Sequence, residues 1–260
     1  MTTDLVHRLQ SLADSSASND GNRLMARYLL QRLSDLDSLS VQAIADACYT
    51  SIATVSRFVR SLGYDSFAKL RQAAARNIGI TGFPAQLGED GFSGLWLYTN
   101  EISSAMRRCA ETLNQNEVDK LVELLLECRT AALFGIYQPG LIARHLQFLL
   151  LSTGRYTEYY DLMEDHAERA KTMGSGDLAV IFSVDGNYFS CFQDIISLME
   201  QRGVRLVLVT QNRRLADSYS FEQIIFLGDQ DSAAAGCYKL QLFTEVLFGR
   251  YLAVQRARET

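Results

Sequence analysis

The segment 51–60 carries side chains suited to contact a nucleic acid, set along one face of a predicted helix. Ser51 can cap this helix through its hydroxyl. The apolar residues recur at the three- and four-residue spacing of a buried face: Val55, Phe58, Val59 and Leu62. The opposite face carries Ala53, Thr54, Arg57 and Arg60. Short side chains at the helix start allow close approach to base edges, and arginines can bind guanine or phosphate.

A second short helix is predicted just upstream, so that 40–63 has the pattern of a helix-turn-helix. Ser40 can cap the first helix, whose buried face contains Ile44 and Ala45, and Gly63 can end the second. A four-residue turn separates the two, which is typical of DNA-binding motifs. One alternative stays open at this point, a helical dimerisation bundle whose arginines are only solvated.

The charge of the chain is divided unevenly in a way that supports DNA binding by its first part. The whole chain carries a net charge of −5, which is unfavourable for binding a polyanion. Residues 22–80, however, contain eight basic and four acidic side chains, whereas residues 81–260 contain sixteen and twenty-three. A basic segment joined to an acidic one indicates that only the first contacts nucleic acid.

The residues before about position 78 show helical periodicity, and those after position 95 change to an alternating pattern. Further helices are predicted at 22–34 and 67–78, the latter capped by Asp65 or Ser66, and at 95–110 and 117–128. Short apolar runs at 131–136, 156–160, 177–183, 204–210 and 223–228 predict strands. Helices predicted at 140–151, 188–201 and 233–254 separate or follow them, which favours a parallel sheet between helix layers.

Ligands of open parallel sheets bind beyond the carboxyl ends of the strands, where the strand order reverses. In this chain that rule selects four segments: Gly135–Gly140, Asp161, Ser183–Asn187 and Thr210–Asn212. An enzyme that moves a proton at such a site would need a general base near it. Candidates of the right type are Glu158, Glu164, His166, Glu245 and His145.

Composition excludes several other classes of protein. The five cysteines are scattered and form no Cys-x-x-Cys pair, which predicts reduced thiols and no structural metal. No apolar run is long enough to span a membrane, and the first ten residues lack the apolar core of a signal peptide. Motifs of nucleotide hydrolases, dinucleotide enzymes, zinc proteases and α/β-hydrolases are absent. We therefore expect a cytoplasmic protein that is not an enzyme, without cofactor or membrane attachment.

Several motifs together resemble the RpiR/MurR family of bacterial transcriptional regulators. In the first half they are Ile44–Ala47, Ser51–Phe58, Leu62–Tyr64 and Phe67–Leu70. In the second half the Phe134-Gly135 strand end, Asp177, Ser183, Gly186 and Val207–Thr210 are similar to the sugar isomerase (SIS) domain of those regulators. The resemblance implies a helix-turn-helix domain over 1–78, a linker over 79–94 and an SIS domain over 95–260. The fold class expected is α/β overall, an all-α domain followed by a three-layer parallel-sheet domain.

The resemblance also implies partners and site residues. Double-stranded operator DNA would face Ser51, Ala53, Thr54, Ser56, Arg57 and Arg60. A sugar phosphate or other small-molecule effector would bind at Gly135, Gln138, Ser183, Asp185, Gly186 and Asn187. The chain would form a homodimer or tetramer and control carbohydrate metabolism genes.

The sequence departs from the family pattern at both effector loops and in the DNA-binding turn. Gln138 and Pro139 stand where the family has serines, and Asp185 and Tyr188 replace a serine and a threonine. Tyr49 stands where the family often has glycine, which would cost little if the backbone there avoids positive φ. Two alternatives therefore remain: a regulator whose SIS domain only oligomerises or binds a non-phosphosugar ligand, and a sugar-phosphate isomerase.

Overall fold

The computed structural model of the chain describes residues 4–14, 18–75, 87–88, 90–161, 163–215 and 217–259. The chain divides into two compact units, Met1–Thr81 and Gly82–Thr260. Much of the predicted linker, 79–86 and residue 89, lies outside the described residues, so the linker bounds stay a prediction. No helix among the described residues is long and apolar enough to cross a membrane.

The first unit is helical. Its elements are α1 (Asp4–Asp14), α2 (Asp20–Leu30), a 3₁₀ helix (Leu33–Ser38), α3 (Val41–Ala47), α4 (Ile52–Ser61) and α5 (Phe67–Ala75). Together they bury one apolar cluster that includes Leu9, Leu29, Ile44, Phe58 and Leu70. The predicted helices α3 and α4 and their caps are confirmed. The Ser40 and Ser51 hydroxyls each accept a hydrogen bond from the backbone N–H three residues further along.

Two differences from the sequence prediction occur in this unit. The helix predicted at 22–34 spans Asp20–Leu30 instead. It begins earlier because the Asn19 side chain accepts from the N–H groups of Gly21 and Asn22, and a 3₁₀ helix over Leu33–Ser38 takes the place of its predicted end. Helix α1, which packs on α2, was not predicted. The end predicted for α5 at Ile78 lies outside the described residues.

The second unit alternates strands and helices after two opening helices. Its elements are α6 (Leu95–Thr112), α7 (Gln115–Glu127), β1 (Ala131–Gly135), α8 (Tyr137–Leu151), β2 (Glu158–Tyr159), α9 (Met163–Thr172), β3 (Leu178–Phe182), α10 (Asn187–Gln201), β4 (Arg205–Thr210), a 3₁₀ helix (Arg213–Leu215), β5 (Gln223–Phe226) and α11 (Ala233–Glu259).

The five strands form one parallel sheet in the order β2-β1-β3-β4-β5. Alternate strand residues face two separate apolar clusters. Leu133 and Val180 pack against α7, α8 and α11 on one face, while Phe134 and Ile181 pack against α9 and α10 on the other. The predicted fold class, helices followed by a parallel sheet between helix layers, is confirmed.

Helices α8 and α9 show where the sequence pattern fell short. Helix α8 begins at Tyr137 rather than Gly140. Pro139 is tolerated in its first turn, because the N–H groups there make no hydrogen bond within the helix and proline has none to offer. Helix α9 was not predicted because it is mostly polar and buries only short or polar residues such as Ala170 and His166.

A buried carboxylate ties the start of β3 to the start of β1. Asp177 accepts two hydrogen bonds from the Arg129 guanidinium, at 3.0 and 2.8 Å, and further ones from Thr130 Oγ1 and the Gly174 N–H. Burial by itself raises the pKa of Asp177, but these hydrogen bonds and the arginine charge together lower it to about 2. This cluster lies at the amino ends of the strands, away from the edge where ligands of such sheets bind.

Candidate nucleic-acid interface and effector site

Helix α4 is held at both ends by local hydrogen bonds. At its start, Ser51 Oγ accepts from the Thr54 N–H at 3.1 Å and lies 3.0 Å from Thr54 Oγ1. At its end, Gly63 has φ +85°, and the Tyr64 N–H reaches back to the Val59 carbonyl at 3.2 Å. This is the left-handed glycine ending common to α-helices. Local hydrogen bonds therefore fix both ends of the helix.

The two faces of α4 separate as the sequence pattern predicted. Val55, Phe58 and Val59 are buried in the helical core. The other face contains the predicted DNA-contacting residues, all exposed or half-buried: Ser51, Ala53, Thr54, Ser56, Arg57 and Arg60. Arg57 donates from Nη2 to Thr54 Oγ1 at 3.2 Å, so its guanidinium lies along the first turn of the helix. The resulting face offers short side chains at one end and two guanidinium groups.

The turn between α3 and α4 contains an unusual backbone conformation at Tyr49. Its φ is +52°, a left-handed value that is rare for residues other than glycine and costs about 1–2 kcal/mol. The expectation that a non-glycine residue costs little here depended on a negative φ, and the structure contradicts it. The turn is closed by the Thr50 N–H, which donates to the Ala45 carbonyl at 2.9 Å.

The effector site expected from the sheet topology lies between the loops that follow β1 and β3, where the strand order reverses. Two glycines bring the β1 loop against the start of α8. A Cβ on Gly135 would lie 2.9 Å from the Gly140 nitrogen, and a Cβ on Gly140 would lie 3.0 Å from the Tyr159 hydroxyl. Gln138 is exposed at this edge. Larger residues at either glycine would push the loop away from the sheet.

The loop after β3 is held by its own residues. Ser183 Oγ accepts from the Tyr188 N–H at 3.3 Å, and Gly186 precedes α10 with φ +98°. A Cβ on Gly186 would lie 3.2 Å from Leu215. Asn187 then begins α10, and the Ser183 hydroxyl is the side chain that binds an N–H group of its first turn. The dipole of α10 and the N–H groups at its start are suited to bind an anion.

Asp185 places a carboxylate in the same loop. Its Oδ1 accepts from Gln211 Nε2 at 2.8 Å, and its carbonyl accepts from Asn212 Nδ2 at 2.8 Å. A carboxylate here opposes the binding of another anion, because like charges a few ångströms apart repel strongly in a partly buried site. The β3 loop therefore combines a helix start that attracts an anion with a side chain that repels it.

Tyr188 does not face the effector edge, although it belongs to the same loop. Its ring is fully buried among Phe134, Phe192 and His166, and its hydroxyl lies 3.1 Å from His166 Nδ1. His166 Nε2 in turn lies 2.8 Å from the Tyr160 carbonyl. Burial raises the pKa of Tyr188 well above its ordinary value. The residue anchors the start of α10 to the helix layer beneath the sheet.

A polar network that was not predicted joins the β3 loop to α6 and α11. Gln211 Nε2 also donates to the Asp231 carbonyl at 3.0 Å, and the Asp231 N–H donates to Gln211 Oε1 at 3.3 Å. The Asp231 carboxylate accepts from Lys239 Nζ at 3.0 Å and from Arg108 Nη2 at 2.6 Å. Lys239 is fully buried. A lysine within the apolar face of a predicted helix could have indicated this network from the sequence, because a buried lysine requires a partner.

The residues considered as general bases do not gather at the effector edge. His166 is buried with Tyr188, Glu158 pairs with Arg169, and His145 Nε2 lies 3.3 Å from Glu245 Oε1. The side chain of Glu164 lies outside the described part of the structure. Within that part, His, Cys, Asp and Glu side chains nowhere form a group of three that could hold a metal ion.

Known proteins resemble the chain over both units. A profile described as the helix-turn-helix domain of the rpiR family matches residues 3–79. The HTH-type transcriptional regulator HexR of Pseudomonas aeruginosa is 27% identical over 191 residues, which cover 70% of this chain and 65% of HexR.

Solved structures share the fold of the whole chain and of its second unit. The Vibrio vulnificus NanR protein, solved in complex with ManNAc-6P, has a TM-score of 0.54 and 18% identity, covering 98% of this chain and 94% of NanR. The sugar isomerase domain of an RpiR transcription factor from Sphaerobacter thermophilus has a TM-score of 0.50 and 15% identity, covering 64% of this chain and 98% of that domain. The helix pair α3–α4 thus lies in an rpiR-family helix-turn-helix domain, and the second unit shares the fold of the sugar isomerase domain of such a regulator.

Proposed function

We propose that the chain is a cytoplasmic, sequence-specific DNA-binding regulator of carbohydrate metabolism genes, and that it carries no catalytic activity of its own. The observation that carries this proposal is the outer face of α4, where Thr54, Arg57 and Arg60 are presented by a helix whose other face is buried. We propose that α4 enters the major groove with its first turn towards the base edges and its arginines towards guanine or phosphate.

Exposed apolar side chains on the second unit support a homodimer or tetramer. Leu141 and Phe148 of α8 and Tyr238 and Val246 of α11 are exposed, on two helices that pack against each other. An apolar surface of this kind is suited to pairing with a second copy of the chain. A two-fold dimer would present two copies of α4 to a palindromic operator.

The Arg57→Ala variant tests the DNA assignment. We expect it to weaken binding to a duplex selected from a random library by about 10- to 100-fold, the loss that follows from removing one arginine contact to a base. Fluorescence anisotropy titrations of the full chain at several salt concentrations measure the affinity and its salt dependence, with an expected stoichiometry of two chains per duplex.

Arg107→Ala is the matched control, because Arg107 is exposed on α6 in the other unit and its loss changes the net charge equally. Its affinity should equal that of the wild-type chain. Equal binding by the Arg57→Ala variant and the wild-type chain would contradict the assignment of α4 as the recognition helix.

For the second unit we propose a sensor role, with an effector bound between the β1 and β3 loops at Gly135, Gln138, Ser183, Gly186 and Asn187. The effector class is a sugar phosphate or a related sugar, supported by the N-terminus of α10 behind Gly186 and by NanR, which has the same fold and was solved with ManNAc-6P. Binding there would shift the equilibrium between two arrangements of the oligomer and change its affinity for DNA.

Asp185→Asn tests this site through its charge. We expect ManNAc-6P to raise the melting temperature of the Asp185→Asn variant more than that of the wild-type chain, because the substitution removes a like charge and keeps the oxygen that Gln211 binds. Thermal shift with unphosphorylated N-acetylmannosamine is the control and should respond equally in both chains. If ManNAc-6P shifts neither chain, the sugar-phosphate assignment is wrong and the alternative ligand or purely oligomeric role is favoured.

A further inference from the structure

Tyr49 combines a strained backbone conformation with an almost fully exposed side chain. It has φ +52°, and only Tyr49 and Tyr137 have positive φ among the non-glycine residues that the structure describes. It is also the most exposed of the large apolar or aromatic side chains in the described ranges, at 94%. A glycine would adopt this backbone conformation without strain. The strain at Tyr49 is therefore retained for a side chain that the domain does not use for packing.

No contact within the described residues offsets this strain. The Tyr49 side chain has no hydrogen bond and no aromatic or cation–π partner there, whereas Tyr28 and Tyr64 of the same unit contact Arg32 or pack on the helical core. Non-glycine residues held in left-handed conformations occur preferentially at functional positions, where the conformation directs a side chain. We therefore infer that the exposed phenol of Tyr49 contacts a partner outside this domain.

The position of Tyr49 indicates which contact that is. It lies two residues before Ser51, the cap of α4, and the first turn of α4 is the part of the motif that meets the bases. In a helix-turn-helix docked on DNA, the chain segment next to that turn would pass close to the sugar-phosphate backbone at the edge of the groove. Tyrosine hydroxyls are among the side-chain groups that donate to phosphate oxygens. The net positive charge of residues 22–80 favours DNA over an apolar or cationic partner.

We propose that Tyr49 is a DNA-contacting residue whose hydroxyl donates to a backbone phosphate beside the site read by α4, held there by the left-handed turn. This inference depends on the proposed DNA-binding function. A contact to phosphate carries no base information, so its loss should weaken binding to all duplexes alike. It should also leave the preference for one sequence over another unchanged.

The Tyr49→Gly variant has expected effects of opposite sign on stability and on DNA binding. Removing the strain should raise the midpoint of thermal unfolding of the full chain by about 4 °C, followed by circular dichroism. The same variant should bind the library-selected duplex about 5- to 10-fold more weakly than the wild-type chain, and a duplex of unrelated sequence by the same factor. Tyr49→Phe, which removes only the hydroxyl, should keep the wild-type midpoint and weaken binding about 3-fold.

Tyr156→Gly is the matched control, because Tyr156 is also an exposed tyrosine but lies in the other unit, before the amino end of β2 and outside the proposed effector loops. It should bind DNA as the wild-type chain does. Wild-type or tighter binding by Tyr49→Gly would overturn the proposal, and so would a fall in its unfolding midpoint. If the wild-type chain selects no duplex, or if Arg57→Ala binds as tightly as wild type, the DNA-binding function or the role of α4 has failed instead.

Discussion

Replacing Asp231 by alanine is expected to destabilise the second unit by about 3–5 kcal/mol, because it removes the charged partner of a buried lysine. Lys239 is fully buried, and besides Asp231 its ammonium group donates only to the Asp229 carbonyl, at 2.7 Å, among the bonds within the described residues. Burial raises the pKa of Asp231, but the hydrogen bonds and charges of Lys239 and Arg108 lower it below its ordinary value. The Asp231 carboxylate is therefore ionised at neutral pH.

Urea unfolding of the full chain, followed by the fluorescence of Trp96 in the second unit, measures the change in the free energy of unfolding. Asp229→Ala is the matched control, since it removes a carboxylate from the same loop but keeps the carbonyl that Lys239 uses, and it should change stability by less than about 0.5 kcal/mol. The Asp231→Ala/Lys239→Met double variant should recover much of the loss, because no unpaired charge remains buried. Similar midpoints for Asp231→Ala and Asp229→Ala would show that the ion pair does not stabilise the fold.

Replacing Tyr188 by threonine is expected to cost about 3–5 kcal/mol of stability, the loss typical of emptying a large, fully buried aromatic site. The substitution would leave a cavity between Phe134 and Phe192 and would remove the hydroxyl that lies 3.1 Å from His166 Nδ1. Threonine is the residue that the family pattern has at this position, so the substitution restores the family motif while removing part of the core. The structure predicts that the second effect dominates.

Tyr188→Phe separates packing from hydrogen bonding in the same experiment. It keeps the ring and removes only the hydroxyl, so we expect a loss of about 1 kcal/mol. Urea unfolding gives both values, and a thermal shift with ManNAc-6P shows whether the added hydroxyl of Tyr188→Thr creates an effector contact. Wild-type stability of Tyr188→Thr would contradict the placement of this side chain in the core.

The sequence alone predicted the elements whose stability depends on local patterns. Helices α3 and α4 followed from capping serines and apolar spacing, and the outer face of α4 followed from the same periodicity, because a helix repeats every 3.6 residues whatever surrounds it. The five strands were predicted as apolar runs between helices. The loops at Gly135 and Ser183 were two of the four segments that the rule for parallel sheets selected, and the strand order of the structure singled them out. The order of the two domains and the class of protein were predictable from the same patterns and from the family resemblance.

Tertiary structure decided the details that depend on residues distant in sequence or on backbone angles. Only the fold shows that Tyr188 points away from its own loop to His166, because the choice between two sides of a sheet depends on which side has space and a partner. Only the fold pairs Lys239 with Asp231 and joins both to Gln211 and Asp185. The left-handed φ at Tyr49 could not be predicted from the sequence either, because the closure of the turn sets this angle. Local periodicity determined which residues form the proposed DNA-reading helix, and packing across the sheet determined which residues are left at the proposed effector site.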